Sequence, residues 1–134
     1  MEKKFKRDIN SLDMIFNFIG EYITKTKIDH TITFTINFVV EEIFTNMVKY
    51  NSENTNDILI SLNKNENNLI ISLTDFDVEP FDVTKSEEVN INQSLEDRKV
   101  GGLGLHLVKQ MVDKINYEYK NRKSKITFIK HLEK

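Results

Sequence analysis

Ile58, Ile60 and Leu62, and then Leu69, Ile71 and Leu73, recur at every second position on either side of a polar turn at Asn63 to Asn68. A period of two sends all six side chains to one face of a pair of strands, so this stretch predicts a β-hairpin with one buried face. A sheet with one apolar face must be covered, and the segments before the hairpin carry the helical period that can cover it. Leu12, Ile15, Phe16, Ile19 and Ile23 follow a capping stretch from Asp8 to Ser11 and predict a core-facing helix. From Asp29 to Tyr50 two patterns compete. Ile32, Phe34, Ile36, Phe38 and Val40 alternate as in a strand, whereas Ile32, Ile36, Val39, Val40, Ile43, Phe44 and Met47 follow a helix. Only the second continues past Val40, so one long helix is expected, capped near Asp29 or Thr31, despite the poor helix propensity of its β-branched first half.

A short strand is expected around Phe5. Beyond the hairpin, Asp75 to Asp82 ends the second strand, aided by Pro80, the only proline in the chain. Val83 to Val100 has little periodicity, and a long irregular segment in a small domain reads as a lid or binding loop. Gly101-Gly102-Leu103-Gly104-Leu105 then opens a helix with the rhythm Leu107, Val108, Met111, Val112 and Ile115. The chain closes with a strand at Tyr117 to Tyr119, a turn at Asn121 to Ser124 and a strand at Ile126 to Lys130. These elements predict an α+β fold: a four- or five-stranded, mainly antiparallel sheet with helices packed on one face, forming a single domain over residues 1–134.

Bulk properties narrow the function. A chain of 134 residues with net charge −2 has no general attraction to nucleic acid or anionic lipid. No run reaches transmembrane length and no signal-peptide apolar stretch follows the basic N-terminus, so a cytoplasmic protein is expected. With no cysteine, disulfides, thiolate metal sites and cysteine nucleophiles are excluded.

Three features carry chemistry. The glycines let backbone N–H groups approach a ligand closely, and the first turn of the helix they open adds unpaired donors at its positive end, which suits a phosphate. Glu42 and Asn46, one helical turn apart, point the same way. An Asn oxygen is a neutral Mg²⁺ ligand of the kind that works together with phosphates and water, and a carboxylate beside it can take a proton from an attacking hydroxyl or water. Asp75, past the second strand, offers an acceptor for the exocyclic amine of adenine, a donor that guanine lacks at that ring position. His30, His106 and His131 are scattered, without metal-ligand spacing, and read as structural or exposed.

In this order the features resemble the GHKL ATPase superfamily with its Bergerat nucleotide fold, and within it the anti-sigma-factor serine kinases. Glu42 to Tyr50 is similar to that family's N box, Asp75 to Asp82 to its first glycine box, and Arg98 to Leu107 to its second. The resemblance spans about residues 8 to 131. It implies a two-layer α/β sandwich that binds ATP and Mg²⁺ and phosphorylates a serine of a STAS-type anti-anti-sigma partner, with a sigma factor as a further partner and a homodimer as the common assembly. By position, Asn46 would hold Mg²⁺, Glu42 would act as base, and Gly101, Gly102, Leu103, Gly104 and Leu105 would form the phosphate loop, with Arg98 and Lys99 adding charge beside it. Two departures stand out. The family's first glycine box reads Asp-x-Gly, whereas Asp75-Phe76-Asp77-Val78 has no glycine, which leaves Asp75 and Asp77 both open as the adenine reader. Tyr50 stands where the family often has histidine. A non-catalytic ATP-binding interaction module is the alternative activity.

Overall fold

The structure is a computed structural model that describes residues 1–50, 53–79 and 102–132, the last range by backbone alone at 102–105. Pro80 and the segment from Val83 to Val100 lie outside the described residues, as do Arg98, Lys99 and Gly101.

Five strands form one antiparallel sheet: β1 (Glu2–Phe5), β2 (Ile58–Asn65), β3 (Asn68–Phe76), β4 (Lys114–Lys120) and β5 (Lys123–His131), in spatial order β1-β2-β3-β5-β4. Among the described residues, three helices, α1 (Leu12–Lys25), α2 (Thr33–Tyr50) and α3 (Gly102–Met111), form the second layer. The expected α+β architecture is therefore present, with five strands.

The sheet register follows the apolar alternation. Ile60 faces Leu73 and Leu62 faces Ile71 across β2 and β3, while Leu73 and Ile71 face Ile126 and Phe128 on β5. All six are buried in one cluster with Ile15, Ile19 and Ile23 of α1 and Ile36, Val40, Ile43 and Phe44 of α2. The stripe of α1 is rotated from the expected one: Phe18 and Tyr22 are buried, whereas Phe16 is half-buried. Tyr22 remains satisfied there because its hydroxyl accepts from the Lys64 amide at 2.6 Å. Phe34, which supported the strand reading of the next segment, is 74% exposed on α2, so the helical pattern prevails. Asp8 and Asp29 each accept an amide hydrogen bond at the start of a 3₁₀ turn that runs directly into α1 or α2.

Both hairpin turns are shorter than the sequence suggests. β2 and β3 pair through Asn65 and Asn68, leaving Glu66 and Asn67 as the turn, and β4 and β5 pair through Lys120 and Lys123 around Asn121 and Arg122. Asn121 and Arg122 both have positive φ, the requirement of a twist-matched two-residue turn. Ile115, expected at the end of the third helix, lies instead in β4 opposite Phe128. Its apolar period continues that of α3 by coincidence, since a core-facing strand position also falls there.

Glu66 has φ 54°, a region where a Cβ is strained. Replacing it with glycine removes about 1–2 kcal/mol of strain and adds back about 0.4–1 kcal/mol of unfolded-state entropy. Glu66→Gly should thus raise the urea midpoint, with a gain of about 0.5–1 kcal/mol and an unchanged slope; a lower midpoint would show that the turn relies on the glutamate.

Candidate functional site

Glu42 and Asn46 lie in the C-terminal half of α2, where Ile43, Phe44 and Met47 bury the helix against the sheet. Asn46 is 1% exposed, and its side-chain Nδ2 has no hydrogen-bond partner among the described residues. An amide left unpaired in a core costs free energy unless something supplies the missing partner. Its oxygen and nitrogen suit a cation and a phosphate oxygen respectively, so this residue fits a Mg²⁺–phosphate group. One turn earlier Glu42 is half-buried. Burial pushes its carboxyl pKa above the ordinary value, the neighbouring Glu41 adds to the rise, and Lys49 opposes it. Glu41 itself is exposed.

Asp75 lies on the core side of β3, one step beyond Leu69, Ile71 and Leu73 on the same face. Strand β3 continues through Phe76, so Asp75 sits within the strand and not at its end. At 1% exposure it is a carboxylate in a place the alternation reserves for an apolar side chain. Arg7, from the segment between β1 and α1, supplies the compensating charge: its guanidinium pairs with the Asp75 carboxylate, and both side chains are buried. The same guanidinium donates to the carbonyls of Met47 at 2.9 Å and Asn56 at 3.3 Å. Sequence reasoning missed Arg7, which passes as one more charge in a basic N-terminus. The available signal was indirect: Asp75 shares the parity of the core positions, and a carboxylate buried there requires a cation.

Asp77 is placed differently. Its side chain is 69% exposed and accepts from Arg122 Nε at 2.8 Å, while Arg122 Nη1 donates to Glu79 at 3.1 Å. The two acceptors hold the Arg122 pKa above its ordinary value. Between them Val78 is fixed to the β4–β5 hairpin, its amide donating to the Arg122 carbonyl at 3.0 Å and its carbonyl accepting from Tyr119 Oη at 2.7 Å. Asp77 has φ 57°. It occupies the third position of the Asp-x-Gly pattern and keeps the left-handed conformation for which glycine is favoured, a conformation that Asp tolerates better than most residues. The missing glycine therefore leaves the local backbone course available.

Gly102 begins α3 and Gly104 lies in its first turn, where backbone N–H groups have no intrahelical acceptors. Leu103 and Leu105 belong to the same turn. The helix is anchored through buried Val108 against the core. Tyr50, at the end of α2, is 41% exposed. The three histidines are exposed, and among the described residues no group of three His, Asp or Glu side chains is arranged to hold a metal. A cavity of about 810 Å³ lined by Lys27, Asp29, Lys64 and His131 lies at the β2–β3 turn end of the sheet, away from Asp75 and Asn46. Among the described residues no helix is long and apolar enough to cross a membrane.

Comparison with known proteins supports the fold. The chain is similar in fold to the crystal structure of the RsbU and RsbW domains of Rv1364c from Mycobacterium tuberculosis, with a TM-score of 0.70 and 13% sequence identity. That match covers 98% of this chain and 32% of the other, so the chain spans about a third of that protein's length. No curated protein matches the sequence. Residues 5–130 match the family described as the histidine kinase-like ATPase domain, a stretch that holds Arg7, Glu42, Asn46, Asp75 and the glycine-led helix. The chain belongs to the histidine kinase-like ATPase domain family, and ATP is the ligand that this membership implies.

Proposed function

We propose that the protein is an ATP- and Mg²⁺-dependent serine kinase of the anti-sigma-factor type. The observation that carries the reading is the placing on α2, one turn apart, of a half-buried carboxyl with raised pKa, Glu42, and a buried amide, Asn46, whose nitrogen has no partner among the described residues. Asp75 reads the adenine amine, and the exposed, Arg122-bound Asp77 shapes the turn. The backbone donors of Gly101, Gly102, Leu103, Gly104 and Leu105 receive the phosphates, with Arg98 and Lys99 adding positive charge. Mg²⁺, held by Asn46 and phosphate oxygens, would neutralise charge on the phosphates. Glu42 accepts the proton of the attacking serine hydroxyl as its oxygen bonds to the γ-phosphorus; the bond from that phosphorus to the bridging oxygen breaks and ADP leaves.

The serine belongs to a STAS-type anti-anti-sigma protein, with a sigma factor as the second partner, and the kinase works in the cytoplasm as a homodimer. Support comes from the order of the motifs and from a structural neighbour that includes an RsbW domain. In the alternative reading, ATP only orders a protein-binding surface, as the replacement of the box glycine by Asp77 would allow.

Two measurements test the proposal. ATP with Mg²⁺ at 100-fold above Kd should stabilise the fold by about 2.7 kcal/mol; an unchanged melting curve at millimolar ATP·Mg²⁺ would remove nucleotide binding altogether. Incubation with labelled ATP and STAS-type proteins from the source cell should then give phosphoserine. Binding without transfer to any of them would favour the interaction module.

A further inference from the structure

The nucleotide-binding reading leaves the buried guanidinium beside Asp75 without a task. Arg7 reaches three acceptors from one planar group: the Asp75 carboxylate, the Met47 carbonyl and the Asn56 carbonyl. These belong to strand β3, the last turns of α2 and the connector before β2. Met47 follows Asn46 in the chain, so Arg7 ties the segment carrying the candidate phosphate-side amide to the strand carrying the candidate base reader. A rigid fork of donors can span such a set, which a single ammonium cannot.

We propose that Arg7 is the positioning residue for purine choice: without touching the nucleotide, it holds the Asp75 carboxylate ionised and fixed so that the site accepts adenine and rejects guanine. The inference rests on the nucleotide-binding reading above. A carboxylate buried in this core takes up a proton more readily once the guanidinium beside it loses its charge. Protonated, it has both a donor and an acceptor and can satisfy the carbonyl oxygen of guanine as well as the amine of adenine. Ionised, it accepts only. It then bonds the adenine amine and faces the guanine carbonyl oxygen with like partial charge. The positive charge of Arg7 selects between these two states.

The test uses the full chain with Arg7→Gln and Arg7→Lys, and measures calorimetric affinities for ATP·Mg²⁺ and GTP·Mg²⁺ beside melting without nucleotide. The parent should prefer ATP. Arg7→Gln should weaken ATP and cut the ATP-to-GTP affinity ratio by at least about tenfold, because a site that reads a hydrogen-bond donor loses its selectivity when it can also donate. Arg7→Lys restores the charge but not the fork, so it should melt lower than the parent while keeping the parental ratio. A purely structural role would move melting in both variants and the ratio in neither. If Arg7→Gln fails to fold, the neutral isostere citrulline introduced at position 7 by ligation takes its place, with the same expected loss of ratio.

A folded neutral variant with the parental ratio overturns the inference, as does an Arg7→Lys protein whose ratio collapses as far as that of the neutral variant. A parent that binds neither nucleotide removes the underlying nucleotide reading. A parent that prefers ATP beside an equally selective Arg7→Gln overturns only the role of Arg7.

Discussion

Replacing Glu42 with glutamine should leave ATP affinity near the parental value while lowering phosphoryl transfer by roughly 10²–10⁴-fold, the range expected when a general base is removed. Glutamine keeps the shape of the side chain and cannot take up the serine proton. It also removes a negative charge from the phosphate side, so any change in binding should be toward tighter ATP. Two pH effects follow from the raised carboxyl pKa. Transfer by the parent should fall on the acid side as Glu42 is protonated, with a midpoint above the ordinary glutamate value of 4.5. Stability changes in the opposite sense: below the ordinary value the carboxyl is protonated both folded and unfolded and costs nothing, whereas above its folded-state pKa the ionised group is half-buried and destabilising. Glu42→Gln should therefore melt higher than the parent at neutral pH, and the two curves should converge as the pH drops below 4.5. Transfer at the parental rate by Glu42→Gln would remove Glu42 as the base.

The fold was legible because its two layers rest on two periods. Ile58 to Leu73 could belong only to a half-buried hairpin, and Ile43, Phe44 and Met47 extended a helical stripe past the point where a strand would have ended. The errors arose where the two periods overlap. Ile115 continued the α3 rhythm yet lies in β4, and Phe18 and Tyr22, which share the i, i+3, i+4, i+7 stripe with Ile15, Ile19 and Ile23, are buried in place of the more exposed Phe16. Turn lengths were missed for a different reason. Glu66, Asn121 and Arg122 adopt positive φ without glycine, so nothing in the residue types announced two-residue turns. Of the candidate site, Glu42, Asn46 and Asp75 were visible through spacing and resemblance. Their burial was not, and neither was Arg7, which meets Asp75 because β1 lies beside β2 and the segment after β1 thereby reaches Asp75 on β3.

Asn46→Leu should make the protein more stable and the nucleotide site worse, and the opposition of signs distinguishes a functional residue from a structural one. In the fold, leucine has nearly the same shape and removes a buried amide whose nitrogen has no partner among the described residues. Relief of such a group contributes about 1–3 kcal/mol, so the urea midpoint should rise. In the site, losing one hydrogen bond or oxygen ligand to a charged group costs about 1.5–3 kcal/mol, which weakens ATP·Mg²⁺ binding by roughly 10- to 150-fold. Asn46→Ala should weaken binding similarly but gain less stability, because it leaves a void beside Ile43 and Met47. If Asn46→Leu binds ATP·Mg²⁺ as the parent does, Asn46 takes no part in the site. If it unfolds more easily than the parent, the amide is satisfied inside the protein. The combination of higher stability with weaker binding is what retention of an unpaired polar group in the core for the sake of a ligand predicts, since natural proteins break local packing rules chiefly where function requires it.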